Sequence, residues 1–365
     1  MSIFLSSIWN TIQTALLPVM EEAHGELTEK EQRFIRVCEL CALEKYALYV
    51  SGGFIGRPKK ERLSIIMAFV AKAVYNFSTT TLLIEHLMRN RTLRRLCGWE
   101  GKNEVPSEST FSRAFGEIAV CELPQKIHEA MITTHYGQKL AGHISRDATA
   151  IEAREKPIKK EKPLPVVPKR KKGRRRKDEV PLPKEPTKLE IQLSRELNEN
   201  LGDIPTTCDW GTKRDSKGNS YSWVGYKLHI DTIDGDIPVS VILSSASMHD
   251  SQAAIPLAQM SARLVTNCYD LMDAAYDSKC IREMSVRLNH VPLIDSNKRK
   301  GEKVEFAPAE KIRYNQRSSA ERVNSNLKDN FGGSTVRVKG AKKVMAHLMF
   351  GVIALTAEAL FRLIN

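Results

Sequence analysis

An α/β fold behind an all-helical N-terminal segment is the architecture this sequence predicts, and three patterns carry the reading. Up to about residue 135, apolar residues recur at three- and four-residue spacing with little strand-like alternation. Beyond Leu201, short alternating or apolar runs are interleaved with helical ones, the pattern of a mixed sheet flanked by helices. Between the two lies a basic stretch whose repeated prolines exclude regular structure.

The chain opens on MSIFLSSIWNTIQTALLPVM, which is interrupted by Ser, Asn, Gln and Thr and has no basic leader, so it predicts an amphipathic helix. Glu31 to Val50 and Arg62 to Met88 follow as helices. Gly98-Trp99 then makes a turn, and Ser107 or Ser109 caps the helix of SESTFSRAFGEIA. A short helix, a turn and a capped helix suggest a helix-turn-helix reader of DNA, although any three-helix bundle shares that pattern. Gly142 to Ile151 reads as a strand. Ser222–Thr232 and Pro238–Ser245 form a hairpin through Asp234-Gly235-Asp236. A helix over Ser251–Leu264 capped by Asp250, a strand Cys268–Met272, a helix Ser278–Leu288 and a strand Val291–Ile294 complete the alternation. Val344 to Ile364 is apolar, but His347, Glu358 and Arg362 interrupt it, which predicts a buried core helix in a protein with no membrane span. Two domains are expected: a helical DNA-binding domain over 1–135, and an α/β domain over 136–365 interrupted by a loop at 154–190.

The formal net charge is +13 and the pI is about 9.3; a folded protein this basic meets a polyanion, most often nucleic acid. Lys169, Arg170, Lys171, Lys172, Arg174, Arg175 and Arg176 concentrate the charge in the proline-rich stretch, which predicts extended chain that binds phosphates without reading sequence. The seven cysteines are odd in number and scattered, so they read as reduced thiols in a cytoplasm. Cys38 and Cys41 form a C-x-x-C pair with no second pair at metal-ligand spacing, and helix packing accounts for them better than zinc.

Near the C-terminus, Tyr314, Arg317, Glu321 and Lys328 stand three, four and seven residues apart. On one helix all four fall within about 60° of each other, while Ala320, Val323, Leu327 and Phe331 gather on the other side. A carboxylate beside two cations and a phenol suits phosphate chemistry; a solvated face with i,i+4 pairs is the plainer account. Two more acids sit on strands, Asp147 in ISRDATAIEA and Asp273 just past LM in MDAAYDS. Two strand carboxylates and one helical carboxylate can make a hard-oxygen cage for two divalent ions about 4 Å apart. His143, His229 and His249 are expected to be structural, and Trp210 and Trp223 to pack on the sheet.

The segment YNQRSSAERVNSNLK (Tyr314 to Lys328) matches the Y-x2-R-x3-E-x6-K signature of bacterial insertion-sequence DDE transposases. MDAAYDS resembles their second-aspartate motif with Ala275 in place of a glycine, and ISRDATAIEA resembles the first. WVGYKLHI and ASMHDSQAAIPL are similar to the blocks between, and residues 60–125 resemble the helical domain that precedes the core. The resemblance covers most of the chain. It implies an RNase H-like core, a mixed five-stranded sheet with flanking helices, in which Asp147, Asp273 and Glu321 bind Mg2+, with Mn2+ as substitute. It implies contacts from Tyr314, Arg317 and Lys328 to DNA near the scissile bond, double-stranded terminal inverted repeats and target DNA as partners, a homodimer at synapsis, and a cytoplasmic, nucleoid-associated protein. The interval from Asp273 to Glu321 leaves no room for a large inserted β-domain. Two other readings stay open: a DNA-binding protein without catalysis, and a nuclease that cuts without joining.

Overall fold

The computed structural model describes residues 3–50, 61–137, 139–157, 185–214, 218–296 and 305–364. The basic run from Lys169 to Arg176 lies outside the described residues. The chain begins with α1 (Ile3–Thr11) and α2 (Leu17–His24), joined by a π-helical segment into one helix. α3 (Glu29–Cys41) starts on a capping box, in which Thr28 and Glu31 satisfy each other's backbone N–H groups. The helix expected over Glu31–Val50 ends at Cys41, because Ala42 turns left-handed at φ 46° and the chain continues as a 3-10 helix. The helix expected over Arg62–Met88 is likewise two, α4 (Arg62–Val74) and α5 (Thr80–Arg89). Asn76 takes φ 57° between them, and the Thr79 hydroxyl accepts the Leu82 N–H at 3.1 Å to start the second. α6 (Arg91–Leu96), α7 (Glu108–Val120) and α8 (Leu123–His135) finish the helical region. Cys38 and Cys41 pack inside it, and burial pushes the Cys41 thiol up to about 12.

The sheet has six strands, one more than expected: β1 (Leu140–Glu152), β2 (Asp209–Arg214), β3 (Ser220–Ile233), β4 (Ile237–Ser245), β5 (Thr266–Met272) and β6 (Val291–Ile294). Two short helices, α9 (Lys188–Leu193) and α10 (Leu197–Gly202), precede β2. The long β3 pairs antiparallel with β1 on one side, and with β2 then β4 on the other. Beyond β1, β5 and β6 add in parallel. The additional strand is β2, whose DWGTKR has no apolar alternation to announce it.

Helices cover both faces. α11 (Ser251–Leu264), between β4 and β5, lies on one, with α12 (Lys279–Arg287) leading into β6. The opposite face carries the polar segment and the last helix. That segment is not one helix: α13 (Pro308–Tyr314) and α14 (Ser318–Asn330) are separated by a 3-10 turn at Asn315–Arg317, so Tyr314 is not in helical phase with Glu321 and Lys328. α15 (Ala341–Arg362) packs against α3, α4, α7, α8, α14 and β4, and one apolar core runs through the helical region and this face of the sheet. Among the described residues it is the one helix long and apolar enough to cross a membrane, and most of it is buried inside the protein.

Where α15 passes α14, Gly351 leaves no space: a Cβ there would stand 2.4 Å from the Phe331 carbonyl oxygen. Gly351→Val is therefore expected to cost about 1–3 kcal/mol through overpacking, read as a lowered denaturation midpoint; an unchanged midpoint would contradict this packing.

Candidate active site

Strand register places the two aspartates together. β1 and β5 pair in parallel with Ser145 opposite Leu271, so two residues further along Asp147 comes level with Asp273, just past the end of β5. Neighbouring strands are about 4.8 Å apart. Both carboxyls are held above the usual carboxylate range. Burial is the main cause for each, and the charge of Asp273 adds to it at Asp147. The Ala148 N–H, Lys213 and Arg317 pull Asp147 the other way. Asp273 also accepts the Ala275 N–H at 2.9 Å, so the acid expected as a ligand additionally shapes the turn that follows it.

α14 lies across this pair. Ala320, Val323 and Leu327 pack into the core, and the Asn324 side chain donates to Asp147 Oδ2 at 3.0 Å. Glu321 is one turn before Asn324 on the same helix, which brings it towards the aspartates. It does not join them: Arg317 donates to Glu321 Oε1 at 2.5 Å, and Glu321 is exposed. Among the described residues, no three His, Cys, Asp or Glu side chains stand close enough together to hold a metal ion. Arg317 is the shared element of the site. Burial alone would lower its pKa, but Glu321 raises it, and its charge also reaches Asp147 and Asp273. Tyr314, across the 3-10 turn, has its ring centroid 6.0 Å from the Arg317 guanidinium, and burial pushes its hydroxyl up to about 12. Lys328 is half-buried and shifted down, first by burial and then by Lys213, and Asp147 is within its electrostatic reach.

Two members of the site escaped the sequence reading. Lys213 is carried in by the unrecognised β2 and acts on Asp147, Asp273 and Lys328 alike. Asn324 was hidden because an amide on the packing side of an amphipathic helix reads as an interruption. Its Oδ1 is buried without a partner, and only its three-residue offset from Glu321 could have flagged it.

The blocks between the acids turn out to hold one another. Lys227 of WVGYKLHI donates to the Met248 carbonyl and to Asp250 Oδ1, both at 2.8 Å. Asp250 is thus an ion-pair partner and not the expected side-chain cap of α11; His249 Nδ1 accepts the Ser251 N–H instead, at 3.3 Å. Trp223 lies on Gly211, where a Cβ would meet its ring at 2.4 Å, and its indole donates to the Tyr226 carbonyl. Trp210 was expected to pack on the sheet; it is 58% exposed. His143 bonds to Asp234 at 2.9 Å and the buried His229 to Ser244 at 2.8 Å, so both are structural as expected.

A mixed sheet with acids on two adjacent strands, one within β1 and one just past the end of β5, crossed by a helix with a third, defines the RNase H-like class of nucleic-acid-processing folds. A family model described as Transposase DDE domain matches residues 142–357, more than half of the chain. One described as Transposase domain (DUF772) matches residues 26–117. The chain belongs to the transposase DDE domain family, with the paired matches of an insertion-sequence transposase. Its function is in transposition, and its activity is of the nuclease and transposase class. No curated protein and no solved structure matches it.

Proposed function

We propose that this protein binds the terminal inverted repeats of its own element, cleaves them in a metal-dependent reaction and transfers the freed 3′ hydroxyl to target DNA. The observation that carries the reading is the register that sets Asp147 beside Asp273, under the helix that bears Glu321. The donors suit hard divalent cations. Two adjacent carboxyls whose pKa values are raised call for a positive charge, and an orphaned amide oxygen at Asn324 stands beside them. Asp147, Asp273 and Glu321 would hold Mg2+, or Mn2+ in its place, which would supply activation of the attacking oxygen and stabilisation of the leaving one. Glu321 reaches that role by exchanging its Arg317 partner.

The chain's own groups bind and orient the DNA. Arg317 and Lys328 hold phosphates beside the scissile bond, Lys213 adds a third cation, and the Tyr314 hydroxyl positions the strand. The helical region over 1–135 supplies end recognition, residues 136–365 the chemistry, and the basic run at Lys169–Arg176 affinity without sequence preference. Joining two ends requires at least a dimer, with the protein acting on DNA in the cytoplasm, at the nucleoid.

Labelled DNA carrying the inverted repeats that flank the coding sequence, mixed with protein and Mg2+, is expected to be cut at the element's end, and a pre-cut end to be joined to target DNA. Asp147→Ala, Asp273→Ala and Glu321→Gln should each abolish both reactions. Undiminished cleavage by any one of them would overturn the site assignment, and cutting without joining would leave a nuclease.

A further inference from the structure

A cavity of about 610 Å³ opens between α4, α5, α7, α15 and the segment after α14. Phenylalanine rings form its floor, Phe69 and Phe350 among them, and its walls carry Lys72, Arg154, Arg337, Lys339 and Lys343. Glu108 is the one acid in the lining, and its Oε1 already accepts the Thr81 hydroxyl at 3.2 Å. Lys72 is the most telling of these groups. It is only 9% exposed, and among the described residues no carboxylate pairs with it. Burial holds it down at about 8, and the nearby His347 is kept neutral by its own burial. A buried cation with no counter-charge, in a cavity whose lining carries four more, is costly unless an anion enters. No feature of the catalytic reading uses it.

The cavity also continues the catalytic face. Lys328 is in the last turn of α14, and Phe331 and Gly332, about one turn on, line the cavity. On the sheet side, Arg154 follows β1 two residues after Glu152, whose charge acts on Lys328. The segments that carry Lys328 and Glu152 at the catalytic face thus lead directly to Gly332 and Arg154 in the cavity lining.

The geometry points to a DNA-phosphate site: this cavity takes a phosphodiester of the strand leaving the catalytic face, with Lys72 as its buried contact and Arg337 and Lys343 at its mouth. The inference rests on the DNA-processing reading above and extends the footprint into the helical region.

Fluorescence anisotropy of the full-length protein with a labelled duplex, across a salt series, tests it. Lys72→Met and Arg337→Ser should each weaken binding roughly tenfold at low salt and reduce the salt slope by about one. Ser112→Trp places a bulky ring at an exposed position of the lining without changing the charge, and should weaken binding to a similar extent. Thr81→Trp serves as a second filled variant, and circular dichroism melts establish that each variant is folded. Wild-type affinity in the folded Ser112→Trp, Thr81→Trp and Lys72→Met proteins, with tight binding by the wild type, would overturn this inference alone. A wild type that binds no DNA would overturn it together with the proposed function.

Discussion

Asp147→Asn is expected to remove DNA cleavage by on the order of 10³-fold or more while leaving the protein as stable as before, or more so. The two effects have one cause. Asp147 and Asp273 both have folded-state pKa values above the usual carboxylate range, burial being the main reason and each carboxyl facing another acid. An acid shifted up contributes stability that is complete below its unfolded pKa and is lost as pH rises through the raised folded value. At neutral pH both charges therefore oppose folding, and an amide at position 147 relieves that while still accepting the Asn324 hydrogen bond. A bound divalent cation relieves it too, by mass action on the folded state. Mg2+ or Mn2+ should raise the melting temperature of the wild type, and of Asp147→Asn and Asp273→Asn much less. A wild-type melting temperature indifferent to both metals would remove the basis for a carboxylate–metal site here, whatever the cleavage assay shows.

What the sequence could and could not announce follows from the range of the forces involved. The hairpin β3–β4, α11 and β6 were legible within a residue or two because alternation, turn residues and length all agree there. Asp147 and Asp273 could be named as strand acids; that they stand level is a matter of parallel register, which no local pattern encodes. The polar stripe predicts one helix because its periodicity is helical. The 3-10 turn at Asn315–Arg317 arises from tertiary contact, with the Ser145 hydroxyl donating to the Gln316 carbonyl at 3.2 Å. β2 was missed for the opposite reason: DWGTKR is a polar strand held by its pairing with β3, with Gly211 making room for Trp223. Lys213 went unseen with it.

The largest effect on stability is expected at a residue with no part in the chemistry. Asp231→Ala should cost about 3–5 kcal/mol, the range for a buried ion pair that loses one partner. Arg146 and Asp231 join β1 to β3 by two hydrogen bonds of 2.7 Å, and the Ser261 hydroxyl of α11 donates to the same carboxylate at 2.7 Å. Arg146 is 1% exposed and Asp231 0%, so removal of the acid strands a guanidinium that water cannot reach. Side chains alternate along a strand, so Arg146 points to the α11 face and Asp147 to the α14 face. A slip of one residue would exchange them and turn Asp147, the proposed metal ligand, into the α11 core. The pair thus secures the register on which the carboxylate site depends. Denaturant unfolding should place Asp231→Ala well below the wild type, and the paired apolar replacement Arg146→Met with Asp231→Leu should recover much of the loss, because the stranded charge goes with its partner. If register is what the ion pair secures, the double variant should regain stability yet show a weaker metal-dependent rise in melting temperature than the wild type. A full metal response in that variant would mean that the apolar packing of β1 against β3 sets the register unaided.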